Sequence, residues 1–208
     1  MNEWGQKLSP RARERLAAIE ITPEDRARLK ADMILKDILA RFYQGKITPD
    51  ELCKELDSEA GMKELLAKEA QLKLIESLGL GTASLDFKAR GRCILLLEGF
   101  KGKGGMRAEL KQEINALGEL IKRCVSDKDQ AYSQFRERVR TNPNLRMKRA
   151  QTPQGEVVVR LSEEEAVMNS PEWHQFSAQH DRNCMIQFEH SMERLKELVQ
   201  GKAAKHSN

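Results

Sequence analysis

The apolar residues between Gly105 and Thr141 recur at alternating spacings of four and three residues. This spacing places them along one face of an α-helix and is typical of helices that pair lengthwise. Lys128 is the one charged residue in the series. A helix of about 36 residues would span roughly 54 Å at 1.5 Å per residue. Such a helix needs a long neighbour to bury its apolar face, which comprises Leu110, Ile114, Leu117, Ile121, Cys124, Ala131 and Phe135.

A second long helix is predicted from Ser170 to about Gln200, with an apolar series of Met185, Phe188, Met192, Leu195 and Val199. The two helices are separated by the strand-forming segments 145–151 and 156–161. Thr152-Pro153-Gln154-Gly155, which joins these segments, has the composition of a β-turn. The sequence therefore predicts a long antiparallel, coiled-coil-like helical hairpin with a small β-hairpin at its tip, over about 145–161.

The first part of the chain contains Ser-Pro or Thr-Pro steps that favour helix starts, because the hydroxyl caps free N–H groups and proline suits the first helical position. They occur at Ser9, Thr22, Thr48 and, in the second half, Ser170. Asp25 and Glu51 stand three residues after two of these caps, which predicts capping boxes. We expect helices at about 9–20, 22–44, 48–57, 59–78 and 84–98.

The predicted fold class is mainly α, with an N-terminal helical module at 1–81 and a helical hairpin domain at 82–208. The order of helix, β-hairpin and helix resembles the topology of prefoldin-type chaperone subunits. That resemblance concerns architecture and implies no particular activity.

Composition and localisation signals point to a cytoplasmic protein. Hydrophobic residues make up 39% of the chain and charged residues 33%, a charge-rich mixture typical of solvated helices. The longest apolar run, 93–97, is far shorter than the roughly 20 residues that cross a bilayer. The N-terminus lacks the pattern of a secretory signal. The four cysteines are at least 31 residues apart, and we expect reduced thiols in the core.

No catalytic, metal or cofactor motif is recognisable. The segment 40–51 resembles a calcium-binding EF-hand loop, but its first, third and fifth positions hold Ala40, Phe42 and Gln44, which cannot supply the required carboxylates. His180 and Cys184 stand one helical turn apart without a third ligand. We therefore predict no metal, no cofactor and no catalytic residue.

Charge is unevenly distributed along the chain. Residues 1–81 carry 14 Lys and Arg against 15 Asp and Glu, net −1, whereas residues 82–208 carry 22 against 17, net +5. The basic excess suggests a phosphate-binding tip, although helix C-termini and strand edges also favour cations. The candidate nucleic-acid-binding residues are Arg136, Arg138, Arg140, Arg146, Lys148, Arg149 and Arg160.

A second candidate is the glycine-rich loop 99–105, where Lys101 and Lys103 precede a helix start that could bind an anion. A plain flexible linker is the alternative.

Taken together, the sequence predicts a non-enzymatic interaction or adaptor protein that binds a protein partner or forms a homodimer. A nucleic-acid-associated protein that uses the basic hairpin is the alternative, and an enzyme of unrecognised type is the third reading.

Overall fold

The computed structural model describes residues 22–59, 61–101, 106–153 and 155–201. Within these ranges the chain is mainly helical, with seven α-helices and one two-stranded antiparallel sheet, which confirms the mainly α prediction. The predicted helix at 9–20 lies outside the described residues.

The elements follow the predicted order closely. The helices are α1 (Pro23–Tyr43), α2 (Pro49–Asp57), α3 (Lys63–Glu76), α4 (Ser84–Glu98), α5 (Arg107–Thr141), α6 (Glu163–Met168) and α7 (Pro171–Val199), and the strands are β1 (Met147–Thr152) and β2 (Gly155–Arg160). The first strand begins two residues later than predicted, because Pro143–Arg146 forms a 3-10 turn in which the Asn142 side chain accepts a hydrogen bond from the Asn144 N–H.

Side-chain caps fix the helix starts. Thr22 and Thr48 form capping boxes with Asp25 and Glu51, which confirms both predictions. Hydrogen bonds from the Thr48 backbone and side chain lower the pKa of Glu51. Helix α1 ends at the turn containing Gly45, whose φ of 69° is a left-handed conformation. The EF-hand-like segment therefore folds as a glycine-capped helix–turn–helix.

One buried apolar cluster, the body core, unites α1 to α4 with the adjoining ends of α5 and α7. Its fully buried members include Leu35, Leu66, Ile94, Leu117 and Leu195. The first half of the chain and the two long helices thus share a core. The division into domains at residue 81 stays a prediction.

The long helices α5 and α7 run antiparallel beside each other. Moving from the body outward, Glu113 meets Arg194 at 3.3 Å, and further on Lys128 meets Asp181 at 2.7 Å. A regular coiled-coil seam stays a prediction. Met185, which we placed on the inner face of α7, is exposed, because Cys184 occupies that face instead.

A second, smaller cluster, the tip core, lies at the far end of the two helices. Trp173 is buried there, with its ring edge-on to Tyr132 at 5.4 Å and to Phe135 at 5.6 Å between ring centroids. The β-hairpin projects from this end, paired from Met147 with Arg160 to Thr152 with Gly155.

No helix among the described ranges is long and apolar enough to span a bilayer.

Candidate interaction site

Two glycines bring α4 and α5 into close contact. A Cβ atom at Gly91 of α4 would lie 2.9 Å from Cγ2 of Ile114, and one at Gly118 of α5 would lie 3.0 Å from the Phe87 ring. Each helix therefore inserts a large side chain opposite the other's glycine. This reciprocal packing holds the first half of α4 against the first half of α5.

An open groove of about 900 Å³ follows this crossing along α5, and we call it the α5 groove. Its apolar surface comes from Leu80, Phe87, Ile121 and Val125, of which Val125 is 55% exposed. Polar and charged side chains line the rest, namely Thr82, Ser84, Lys88, Asn115, Glu119, Lys122, Ser126, Asp129, Gln130 and Ser133. The groove thus combines an apolar floor with a polar rim.

A smaller groove of about 340 Å³ continues the first toward α7 and shares Leu80, Ile121, Val125 and Asp129 with it. Its far wall includes His180 and Met185. Ile121 and Cys124 pack against the body core at the inner end of this stretch, whereas Val125 and Met185 are exposed. An apolar surface therefore runs from the α4 crossing to the middle of the two long helices.

A disulfide between Cys124 and Cys184 closes the wall of this smaller groove. The prediction of four reduced thiols is wrong for this pair. The antiparallel arrangement of α5 and α7 brings the two cysteines to a Cα separation of 6.1 Å, within the usual range for a disulfide. Sixty residues separate them in the chain, so no local motif marks the pair.

His180 lies beside the disulfide. Both of its ring nitrogens are 3.8 Å from the Cys184 sulfur, and its ring stacks on Phe176 at 5.6 Å between centroids. Across the described part of the chain, no three His, Cys, Asp or Glu residues are grouped to hold a metal ion.

Lys128, the charged residue within the apolar series of α5, pairs with Asp181 of α7. Lys128 Nζ donates hydrogen bonds to both carboxylate oxygens of Asp181, at 2.8 and 2.7 Å. The hydrogen bond from Lys128 lowers the pKa of Asp181, and the lysine's charge acts in the same direction. Lys128 therefore adds an ion pair between the helices one turn beyond the disulfide.

Lys101 is engaged inside the protein rather than presented to a ligand. Its ammonium lies 2.9 Å from the buried Glu98 carboxylate and donates a 2.9 Å hydrogen bond to the Val199 carbonyl at the end of α7. Glu98 also accepts a hydrogen bond from the Gln71 amide at 2.9 Å. This geometry gives the predicted anion-binding role of Lys101 no support, and Lys103 lies outside the described residues.

The predicted basic residues do lie at one end of the molecule, but most have acidic or carbonyl partners. Arg136 pairs with Glu163 at 3.2 Å, Arg140 with Glu137 at 2.9 Å and Arg149 with Glu156 at 3.4 Å. Arg138 contacts the Phe135 ring. Arg146 donates a hydrogen bond to the Leu161 carbonyl, and Lys148 donates one to the Asn169 side chain. Arg160 is exposed.

Acidic residues reduce the net charge of this end. Residues 136–165 contain seven Arg and Lys and five Asp and Glu, net +2. Counted only from 136 to 160, the same segment has seven Arg and Lys against two Glu, net +5. The three glutamates that open α6 account for the difference. The tip is thus less basic than the strand segment alone suggests.

No protein-family model, curated protein or solved structure matches this chain. Neither the α5 groove nor the disulfide was predicted from the sequence. Gly91 and Gly118, glycines inside predicted helices, are the sequence signals that could have indicated the close approach of α4 and α5.

Proposed function

We propose that this chain is a helical interaction protein that acts by binding, not by catalysis, and that the α5 groove holds an amphipathic helix of a protein partner. The observation that carries the proposal is the apolar floor of the groove, where Val125 is 55% exposed and its neighbours Phe87 and Ile121 are only partly buried against the body core. Contiguous exposed apolar surface rimmed by polar residues is typical of interaction sites.

The shape of the groove favours a helical ligand. Its lining on α5 extends from Asn115 to Ser133, which corresponds to about 27 Å at 1.5 Å per residue. A partner helix of about 18 residues has the same length. Ile121 and Val125 lie one turn apart on the floor, and such spacing suits the i, i+4 anchors of a helix in a groove.

The partner helix would extend the pairing of α5 and α7. If these two helices form a coiled-coil-like hairpin, a third helix lying along α5 covers the part of the seam that remains exposed. The charged rim residues are Lys88, Lys122, Glu119 and Asp129, two of each sign. A rim without net charge suits a helix with mixed charges and offers no excess positive charge for nucleic acid.

Site-specific photo-crosslinking in cells tests this proposal. A photoreactive phenylalanine analogue replaces Val125 in one variant and Asp127 in the other. Asp127 is a matched control because it is exposed and lies about 200° around the same helix. We expect a discrete adduct from position 125 only, and peptide mapping should locate the crosslink on an amphipathic helix of the partner.

A variant with altered rim charge completes the test. Adding Lys88→Glu and Lys122→Glu to the position 125 probe makes the rim acidic without altering buried residues. It should lower the adduct yield severalfold, because acidic residues of the partner helix lose their opposite charges on the rim. Equal adducts at positions 125 and 127, or a crosslink to an extended or unstructured segment, would show that the α5 groove is not a helix-binding site.

Nucleic-acid binding through the basic end is the second candidate. It is favoured by the clustering of the seven predicted residues at one end and by the exposure of Arg149, which is 79% at its side chain. Mobility-shift assays with DNA and RNA at about 50 mM salt test it, since phosphate contacts are strong at that concentration. Arg146→Glu, Lys148→Glu and Arg149→Glu combined should abolish a genuine shift and leave helical content unchanged. Absence of a shift with the unaltered protein would remove this candidate.

A further inference from the structure

In the described part of the chain, β1 is the one strand beside β2, so the outer edge of residues 156–160 is exposed. The sheet has two strands, and all six residues of β2 are exposed, including the apolar run Val157, Val158 and Val159. A two-stranded hairpin standing alone is marginally stable, and an exposed apolar edge is a template for another strand.

The register determines which backbone groups this edge presents. The Leu161 N–H donates to the Arg146 carbonyl at 2.8 Å, which continues the β1–β2 ladder by one pair. In a strand, the N–H and C=O groups of every second residue face the same neighbouring strand, so those of Val157 and Val159 also face β1. The N–H and C=O groups of Glu156, Val158 and Arg160 therefore point away from β1.

The sequence of β2 is complementary to itself when read antiparallel. We propose that β2 pairs with β2 of a second copy of this chain, about a twofold axis at Val158. This register places Glu156 opposite Arg160 of the second copy and Val157 opposite Val159 of the second copy, and each pair occurs twice. The result is a four-stranded antiparallel sheet across two molecules.

The hydrogen-bonding pattern fits this register. The three residues with outward backbone groups, Glu156, Val158 and Arg160, become the hydrogen-bonded pairs of the new ladder. If the twofold axis lay at Val157 or Val159, the same residues would still form the hydrogen-bonded pairs. Val158 would then face Glu156 of the second copy in the first case and Arg160 in the second. The central register is thus the one that pairs both charges with opposite charges, and cross-strand pairs of opposite charge are stabilising.

The charges on this edge are available for the pairing. No described residue forms an ion pair with Arg160, while Glu156 contacts Arg149 in an exposed pair at 3.4 Å. Exposed pairs of this kind contribute little. Glu156 can therefore meet the arginine of a second copy without the loss of a strong contact.

The other edge limits the assembly to a dimer. The outward backbone groups of β1 belong to Met147, Arg149 and Gln151, and self-pairing of this edge about its centre would oppose Arg149 to Arg149 of the next copy. Like charges directly opposite are destabilising. Pairing through β2 is isologous and closed, so it does not continue into a fibre.

Sedimentation analysis of the full chain tests the proposal. Because the interface is small, we expect a reversible monomer–dimer equilibrium, with the 23.8 kDa monomer converting to dimer between about 10 and 500 µM. In the proposed dimer, either single variant, Glu156→Arg or Arg160→Glu, places like charges opposite each other in both of the 156–160 pairs. Each should weaken dimerisation on the order of tenfold or more.

Charge exchange makes the test specific. The double variant Glu156→Arg with Arg160→Glu restores opposite pairs and should recover the dimer, and mixing the two single variants should yield a heterodimer. Lys148→Glu is the matched control, because it reverses an exposed charge on β1 away from the new interface. It should leave dimerisation unchanged.

Three results would overturn the proposal. These are a monomer throughout the concentration range, a dimer insensitive to both single variants, and failure of the double variant to recover dimerisation. The second result would place self-association on the helices. Since this edge is separate from the α5 groove, none of these results bears on partner binding there.

Discussion

At the level of single residues, the four cysteines form two spatial pairs. Cys124 and Cys184 form the disulfide, while Cys53 and Cys93 are free and buried in the body core. The hydrogen bond with Cys53, together with burial, raises the pKa of the Cys93 thiol. The Cys93 thiol therefore remains protonated at neutral pH as part of the apolar core.

We predict that two of the four cysteines react with a thiol reagent when the protein is denatured without a reductant. After reduction, all four should react. Cys124→Ser should lower the free energy of unfolding by about 2–4 kcal/mol, because the bridge closes a long loop in the unfolded chain. Four reactive thiols before reduction would show that the bridge does not form.

The Cys124–Cys184 disulfide also bears on the cellular location of the protein. Disulfides persist in oxidising compartments and are rare in the cytosol, so the cytoplasmic location predicted from the sequence now has less support. Alkylation of free thiols in intact cells, followed by counting the cysteines that escape alkylation, would show whether Cys124 and Cys184 are reduced or disulfide-bonded there.

Gly91 provides a second prediction for a single residue. Because a Cβ atom there would lie 2.9 Å from Ile114 Cγ2, Gly91→Leu must separate α4 from α5, and overpacking of this kind costs about 1–3 kcal/mol or more. Gly99→Leu is the matched control, since that position is open. Urea unfolding should show a lower midpoint for the Gly91 variant alone; equal midpoints would contradict the close crossing.

At the level of elements, the middle of the α5–α7 pair is held differently from its ends. The body core and the tip core bury apolar side chains, whereas the stretch between them relies on the disulfide and the Lys128–Asp181 ion pair. Lys128 therefore interrupts the apolar series where a covalent link and an opposite charge supply the contact.

This ion pair predicts a pH dependence. Because the pKa of Asp181 is lowered in the folded protein, its contribution is present above the ordinary value near 3.8 and is lost as pH falls through the lower, folded value. Lys128→Met removes this contribution at neutral pH. The stability difference between wild type and variant should shrink from pH 6 to pH 3.

The expected size is below about 1 kcal/mol, because both side chains are partly exposed. Lys122→Met is the control, since it removes a lysine from the same helix that pairs locally with Glu119. A difference for Lys128→Met that is constant between pH 6 and pH 3 would show that the pair does not favour the folded state.

At the level of the whole molecule, the structure consists of a large body core and a small tip core joined by two helices. The tip core has four buried residues, Val139, Ala166, Val167 and Trp173, whereas the body core has many more. A small cluster at the end of a long pair of helices should open locally more often than the body.

Reduction of the disulfide should therefore loosen the tip selectively. We predict that hydrogen exchange of amides near Val139 and Trp173 speeds up severalfold in Cys124→Ser, while exchange near Leu66 and Leu74 in the body core changes less. Mass spectrometry of proteolytic fragments measures both regions. Equal acceleration in both regions would show that tip and body unfold as one unit.

The sequence by itself determined the local elements. The capping residues Thr22 and Thr48 act within one helical turn, and the apolar series on α5 and α7 reports a helix face. The turn at Thr152 to Gly155 likewise joins two strand-forming segments. These signals depend on neighbours a few residues away, which is why helix starts and the β-hairpin could be predicted within a few residues.

Only the tertiary structure decided which faces meet. The disulfide requires the axial alignment of α5 and α7 to place Cys124 opposite Cys184, and the α5 groove requires Phe87 to pack on Gly118. Both depend on the path of the chain between segments tens of residues apart. Periodicity identifies an apolar face but does not specify its neighbour, so the same sequence pattern is compatible with a covered seam or an open groove.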